Sequence, residues 1–164
     1  MAESLRLFER AHSSAKQAGV TEVERARSLY ERRAWASAHE AFGVAERAGT
    51  LAGEDLERFA VSAYLVGRDA EYLELLRRAY EVYLAVGSGA NAARTAFWLG
   101  LRLLFRGELG HASGWFGRAQ RLLEREKDER VERGYLLIAD AQQQINAQDV
   151  EAARESAERA ASTS

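Results

Sequence analysis

The sequence predicts an all-α chain of stacked helix hairpins, and three observations carry that prediction. Across 164 residues there is no proline, while Ala, Leu, Glu and Arg, all good helix formers, recur throughout. A spaced trio of side chains repeats: Ala38, Phe42 and Ala45 return as Tyr72, Leu76 and Ala79, and again as Ala112, Phe116 and Ala119. The first step is 34 residues and the second is 40, each room enough for two helices and their turns. Glycines at 49, 67, 87 and 107 stand between the periodic stretches, where helices are expected to stop.

The stretch from Asn91 to Leu123 shows the unit most plainly. Its first half carries Ala96, Leu99, Gly100 and Leu103, its second half Ala112, Phe116 and Ala119, and Gly107 divides them. Small residues at 100, 112 and 119 let two helix axes approach to about 8–10 Å, and the large ones fill the space beside them. A chain of this length makes about one domain that buries roughly 70 % of the surface its unfolded form exposes.

In chain order, residues 4 to 18 place Leu5, Phe8, His12 and Ala15 at helical spacing, with Gly19 closing the segment. This helix has no sister in the repeat and reads as a cap over the first apolar face. Thr21 and Glu24 have capping-box spacing and open a helix to about Arg32 with Val23, Ala26, Leu29 and Tyr30 as its apolar side. Its partner runs from Trp35 to Ala48 and stops at Gly49. Glu54 and Asp55 put negative charge in a first turn, where it complements the helix dipole, and are read as a helix start over Glu54–Val66. Leu56, Phe59, Ala60 and Ala63 form its apolar side, and Gly67 breaks the chain before a helix from about Ala70 to Val86. The six extra residues of the second step fall in YEVYLAVGSGAN, as a longer helix followed by a Gly87-Ser88-Gly89 turn.

After the third hairpin, RLLEREKDERVER reads as two solvated helix ends joined near Lys127-Asp128, with Asp128 as N-cap. A last hairpin is expected over Glu129–Asn146 and Val150–Ala161, with Leu137, Ala141, Ala153, Ala157 and Ala160 at the repeat positions and a fraying SAERAASTS end. The organisation is thus a capping helix at 1–18 and one repeat domain at 19–162, with repeats at about 19–52, 53–90, 91–127 and 128–162.

Several function classes are excluded or disfavoured by composition. Cysteine is absent, which removes disulfides, thiolate metal sites and a cysteine nucleophile. The net charge is −2 with acidic and basic residues interleaved, so no basic stripe points to nucleic acid; the 21 arginines against 2 lysines read as the codon bias of a GC-rich genome. The opening MAESLRLFERAHSS lacks the apolar run of a signal peptide, and no stretch nears the ~20 apolar residues of a membrane span, so a cytoplasmic protein is expected. His12, His39 and His111 have no carboxylate or second His at ligand spacing and read as surface or helix-edge residues. Gly-rich VGSGA follows a helix and lacks the Lys-Ser/Thr of a phosphate loop, so it is a turn. Trp35, Trp98 and Trp115 read as core at helical spacing. No nucleophile, base and orienting group can be assembled; the expectation is no enzyme, no cofactor and no metal.

Leu99-Gly100 followed by Ala112, Phe116 and Ala119 resembles the tetratricopeptide repeat, Trp-x2-Leu-Gly-x2-Tyr then Ala-x3-Phe-x2-Ala, and Ala38, Phe42 and Ala45 match its second half. The resemblance covers 19–162 as four repeats and implies a right-handed αα-superhelix, a solenoid of about four hairpins plus the N-terminal helix. The proline that usually closes a repeat is missing, and Tyr72 stands where a small residue is usual. A narrower similarity lies in FWLG…RGE…GW…RA and in ERGYLL, which look like the repeat arrays ahead of the helix-turn-helix in bacterial LuxR-type transcriptional regulators. That implies a regulatory or signal-sensing module; no helix-turn-helix follows in this sequence, so DNA binding is not carried over.

What the repeat family implies for function is protein–protein interaction along an inner face lined by fixed positions of each first helix. Here these are Val23, Arg27 and Tyr30; Glu57, Val61 and Tyr64; Phe97, Leu101, Leu104 and Phe105; Ile138, Gln142 and Ile145, with Arg27, Arg94 and Gln142 on the polar rim. The Lys and Asn residues that clamp a peptide carboxylate in chaperone-binding members are absent there, which disfavours a chaperone tail. An open apolar face suits an amphipathic helix; a tighter array would make the same residues closed core. Self-association, as a homo-oligomer, and a small-molecule sensor are the alternatives.

Overall fold

The computed structural model describes residues 21–49, 51–125 and 147, and all regular secondary structure among them is helical. Helix α1 covers residues 21–31, with Thr21 already helical at the edge of the described chain. It is followed by α2 (Trp35–Ala48), α3 (Gly53–Leu65), α4 (Asp69–Ala85), α5 (Gly89–Phe105) and α6 (Leu109–Leu123). The helix expected at 4–18, the junction at 127–128, the fourth hairpin and the fraying C-terminal end lie outside the described residues. The fold is that of a tetratricopeptide-like helical repeat, in which helix pairs follow one another.

Four of the turns are built alike. In each, one backbone N–H reaches back three residues and the next reaches back five: Arg33 to Tyr30 and Ala34 to Leu29, Gly67 to Tyr64 and Arg68 to Ala63, Gly87 to Leu84 and Ser88 to Tyr83, Gly107 to Leu104 and Glu108 to Leu103. These paired bonds satisfy two of the carbonyls a helix C-terminus leaves orphaned. The first residue of each pair has a left-handed backbone, φ 82° at Gly67, 72° at Gly87 and 76° at Gly107, which glycine adopts without a Cβ clash. At the α1–α2 turn the same conformation is taken by Arg33, φ 60°, which is why no glycine announces that turn in the sequence. Gly49 differs, ending α2 in extended backbone with φ 176°.

The stretch from a 34-residue to a 40-residue step has a simple origin. Helix α4 is 17 residues against 14 for α2, α5 is 17 against 13 for α3, and the α4–α5 connection is one residue shorter than the α2–α3 connection. The turn expected at Gly87-Ser88-Gly89 is shifted by one residue, because Gly89 already opens α5.

The chain divides into two compact units between Val82 and Tyr83. In the first, α2 and α3 pack through Phe42 and Phe59, rings stacked with centroids 5.8 Å apart, while Ala38, Ala60 and Ala63 are fully buried where backbones come close. In the second, α5 and α6 form the hairpin that Asn91–Leu123 predicts. Phe116 is fully buried against Gly100, where a Cβ would stand 2.8 Å from the Phe116 ring. Burying such a side chain stabilises by about 1.5–3 kcal/mol. Thr95, also fully buried, satisfies its hydroxyl by donating to the Asn91 carbonyl at 2.8 Å.

Candidate partner-binding surface

The repeat positions expected to face a partner separate into struts, core and surface. Arg27 is a strut: its Nε and Nη2 donate to Oδ1 and Oδ2 of Asp55, both at 2.7 Å, joining α1 to α3. Asp55 is 1 % exposed and accepts a further bond from Arg58 at 3.1 Å, so a buried carboxylate is held by two guanidiniums. Those hydrogen bonds, more than burial opposes them, hold the Arg27 pKa above its ordinary value. Asp55 does stand in the first turn of α3, as the sequence predicts, but reading it as a helix start alone is corrected by this pairing.

Tyr30 is half-buried, edge-on to Trp35 at 5.3 Å, and Val23, Glu57 and Val61 are half-buried as well. Tyr64 is exposed, its ring 5.2 Å from that of Tyr72. Leu104 is buried, and Phe97 and Leu101 are half-buried; the Phe97 ring lies 5.6 Å from Trp98 and 5.8 Å from Phe116. Arg94 is exposed, and Phe105 is 73 % exposed. Ile138, Gln142 and Ile145 lie outside the described residues.

Five exposed apolar residues are absent from those expectations, Val44, Leu65, Leu84, Val86 and Trp98, of which Trp98 is the only aromatic among the described residues. Trp98 is not core: it is 47 % exposed, while Trp35 and Trp115 are half-buried, with Arg118 stacked on the Trp115 ring at 4.7 Å. Trp98 and Phe105 are seven residues apart on α5, so they share one face about 10 Å apart along the axis, with Leu101 between them. The signal was present as a stripe at 94, 98, 101 and 105, but helical spacing alone does not say which stripe of an apolar helix faces inward.

The reading of the histidines as surface or helix-edge residues is corrected at His39 and holds for the exposed His111. His39 is 9 % exposed, its Nε2 is 3.0 Å from Glu71 Oε2 across α2 and α4, and its ring lies 5.0 Å from Phe59. His111 is exposed, with Nδ1 3.3 Å from Glu108. Neither carboxylate stands at the i+4 spacing a sequence search tests. His12 lies outside the described residues. Among the described residues no group of three or more His, Cys, Asp or Glu side chains is placed to hold a metal ion, and no helix is long and apolar enough to cross a membrane.

No protein-family model matches the sequence, and no curated protein matches it. Among solved structures the chain is similar to the type III secretion chaperone SycD of Yersinia enterocolitica, crystallised in complex with a peptide of the translocator YopD. The likeness has a TM-score of 0.63 at 14 % identity and covers 79 % of this chain and 92 % of that one. At that identity the two share a fold.

Proposed function

We propose that this chain is a protein-binding scaffold that takes a peptide segment on the solvent-exposed face of α5. The observation that carries this reading is the pair Trp98 and Phe105, large side chains left 47 % and 73 % exposed on one stripe of one helix. Aromatic side chains of that size dominate binding when a partner covers them. Helix α5 is the first helix of its hairpin, the element that the tetratricopeptide resemblance assigns to partner contact, and the neighbour SycD was solved with a peptide bound. The reading assigns the chain no catalytic step. A regulatory role of the LuxR-associated kind is the finer form of this proposal and rests on the FWLG and ERGYLL phrases alone.

The test is selection of a displayed random-peptide library on the full chain, with Phe105→Glu as the counter-target. Phe105→Glu should stay folded, because the side chain is mostly in solvent, whereas Phe97→Glu should unfold the α5–α6 hairpin by placing charge against Phe116. Enrichment of peptides that bind the wild type and not Phe105→Glu supports the scaffold reading. Failure to enrich any peptide against a folded wild-type chain overturns it.

A further inference from the structure

The sequence places Phe97 among the residues that meet a partner, and the structure gives it a different post. Its ring is half-buried between two others: the fully buried Phe116 of α6, with centroids 5.8 Å apart and planes at 50°, and the 47 % exposed Trp98, 5.6 Å away with planes at 70°. Three rings therefore run from the core of the α5–α6 hairpin to its solvent-exposed face. Helical spacing does not supply that row. Consecutive residues of an α-helix point about 100° apart, so Phe97 and Trp98 meet because both rings turn toward one another. Their steep interplanar angle is the edge-to-face arrangement that aromatic pairs prefer.

Resting on the scaffold reading, we propose that Phe97 is the positioning residue of this face: backed by Phe116, it fixes the Trp98 indole in the orientation that a bound peptide meets. A long side chain on a helix has two staggered χ1 wells open to it, near 180° and near −60°. One that stands half in solvent exchanges between them unless a neighbour favours one. The Phe97 ring, lying against the indole, favours one. A partner then finds Trp98 already ordered and does not have to immobilise it, which strengthens binding about two- to tenfold.

The test follows Trp98 by itself. In the full chain Trp35→Phe and Trp115→Phe leave it as the only tryptophan, and time-resolved fluorescence anisotropy reads how freely its indole turns. In that parent the indole should turn with the molecule as a whole. Phe97→Leu keeps an apolar side chain against Phe116 but removes the ring beside the indole, and should bring in a fast depolarisation; Phe97→Tyr should abolish it again. Leu123→Ala opens a cavity at the C-terminal end of α6, seven residues or about 10 Å beyond Phe116, and controls for loosening of the hairpin. It should lower the urea midpoint and leave the motion of Trp98 unchanged. In the wild-type background, Phe97→Leu should bind the most enriched peptide of the library selection about two- to tenfold more weakly with unchanged circular dichroism, and Phe97→Tyr and Leu123→Ala should bind it like wild type.

An indole that turns freely in the parent, that stays equally still in Phe97→Leu, that Phe97→Tyr leaves loose or that Leu123→Ala frees to the same extent overturns the positioning role. So does a peptide bound equally by wild type and Phe97→Leu but lost with Phe105→Glu, a result that leaves the scaffold reading standing. If the selection enriches no peptide against the folded chain, the scaffold reading falls, and the role of Phe97 in binding falls with it however still the indole proves to be.

Discussion

Gly100 and Phe116 set the closest approach between α5 and α6, and the physical consequence can be worked out from opposing terms. Replacing a mid-helix glycine with alanine gains about 1 kcal/mol of helix propensity. At Gly100 that gain meets a Cβ 2.8 and 2.9 Å from two ring carbons of a fully buried Phe116, and overpacking of this kind costs about 1–3 kcal/mol. Gly100→Ala should therefore destabilise by up to about 2 kcal/mol in urea unfolding, and Phe116→Leu should cost less in the Gly100→Ala background than alone. Gly110 and Gly114 on α6 are the controls: an added Cβ meets nothing within 4 Å at the first and only the Arg118 tip at 3.7 Å at the second. Alanine there should raise stability by up to about 1 kcal/mol each. The sequence shows Gly100 and Phe116 as a pair because the repeat spacing aligns them. Asp55 with Arg27, 28 residues apart, and His39 with Glu71, 32 apart, follow no such periodicity, so their pairing is visible only once the helices are placed.

At the scale of the element, the turns carry the repeat. Arg33 takes the left-handed conformation that glycine takes at 67, 87 and 107, and for a residue with a Cβ that conformation costs about 1 kcal/mol. Arg33→Gly should raise the stability of the chain by about that amount, and Gly107→Ala should lower it comparably; both read out as shifts in urea midpoint at constant m-value. Helix boundaries were legible to within one or two residues because apolar periodicity marks them even where glycine does not: Trp35–Ala48 emerges intact despite the arginine turn before it. The exposed side of α4 adds a second test. Arg77 clasps Glu74 in two bonds, at 3.0 and 2.7 Å, and also pairs with Glu81, and this holds the Glu74 carboxyl below its ordinary range, chiefly through the hydrogen bonds. A carboxyl whose folded pKa is depressed contributes stability above its unfolded value, about 4.3, and loses it as pH falls through the folded value. Both side chains are about half in solvent, so Arg77→Ala should cost only a few tenths of a kcal/mol at neutral pH. That difference from wild type should vanish on acidification below the range where Glu74 protonates.

For the whole molecule, the division into two compact units decides how damage spreads. In a helical repeat each hairpin is stabilised by its own pairing and by neighbour contacts, so a local lesion need not unfold the entire chain. Gly100→Ala strains only the α5–α6 hairpin, while loss of the Arg27 guanidinium strips α1–α3 of one of the two cations on a buried Asp55. Native-state hydrogen exchange on these two variants forms a reciprocal pair. Gly100→Ala should speed exchange about tenfold in the amides of α5 and α6 and leave α2 and α3 near wild-type protection. Arg27→Ala should do the opposite, exposing α1 and α3 while α5 and α6 stay protected. Equal acceleration over both units in either variant would mean that the chain opens as one cooperative body, and the same two substitutions would then lower a single unfolding transition together. The partition matters for binding as well, because the exposed aromatic face of α5, Trp98 and Phe105, belongs to the second unit. A variant that loosens the first unit should therefore leave peptide affinity at Trp98 and Phe105 intact so long as α5 keeps its protection.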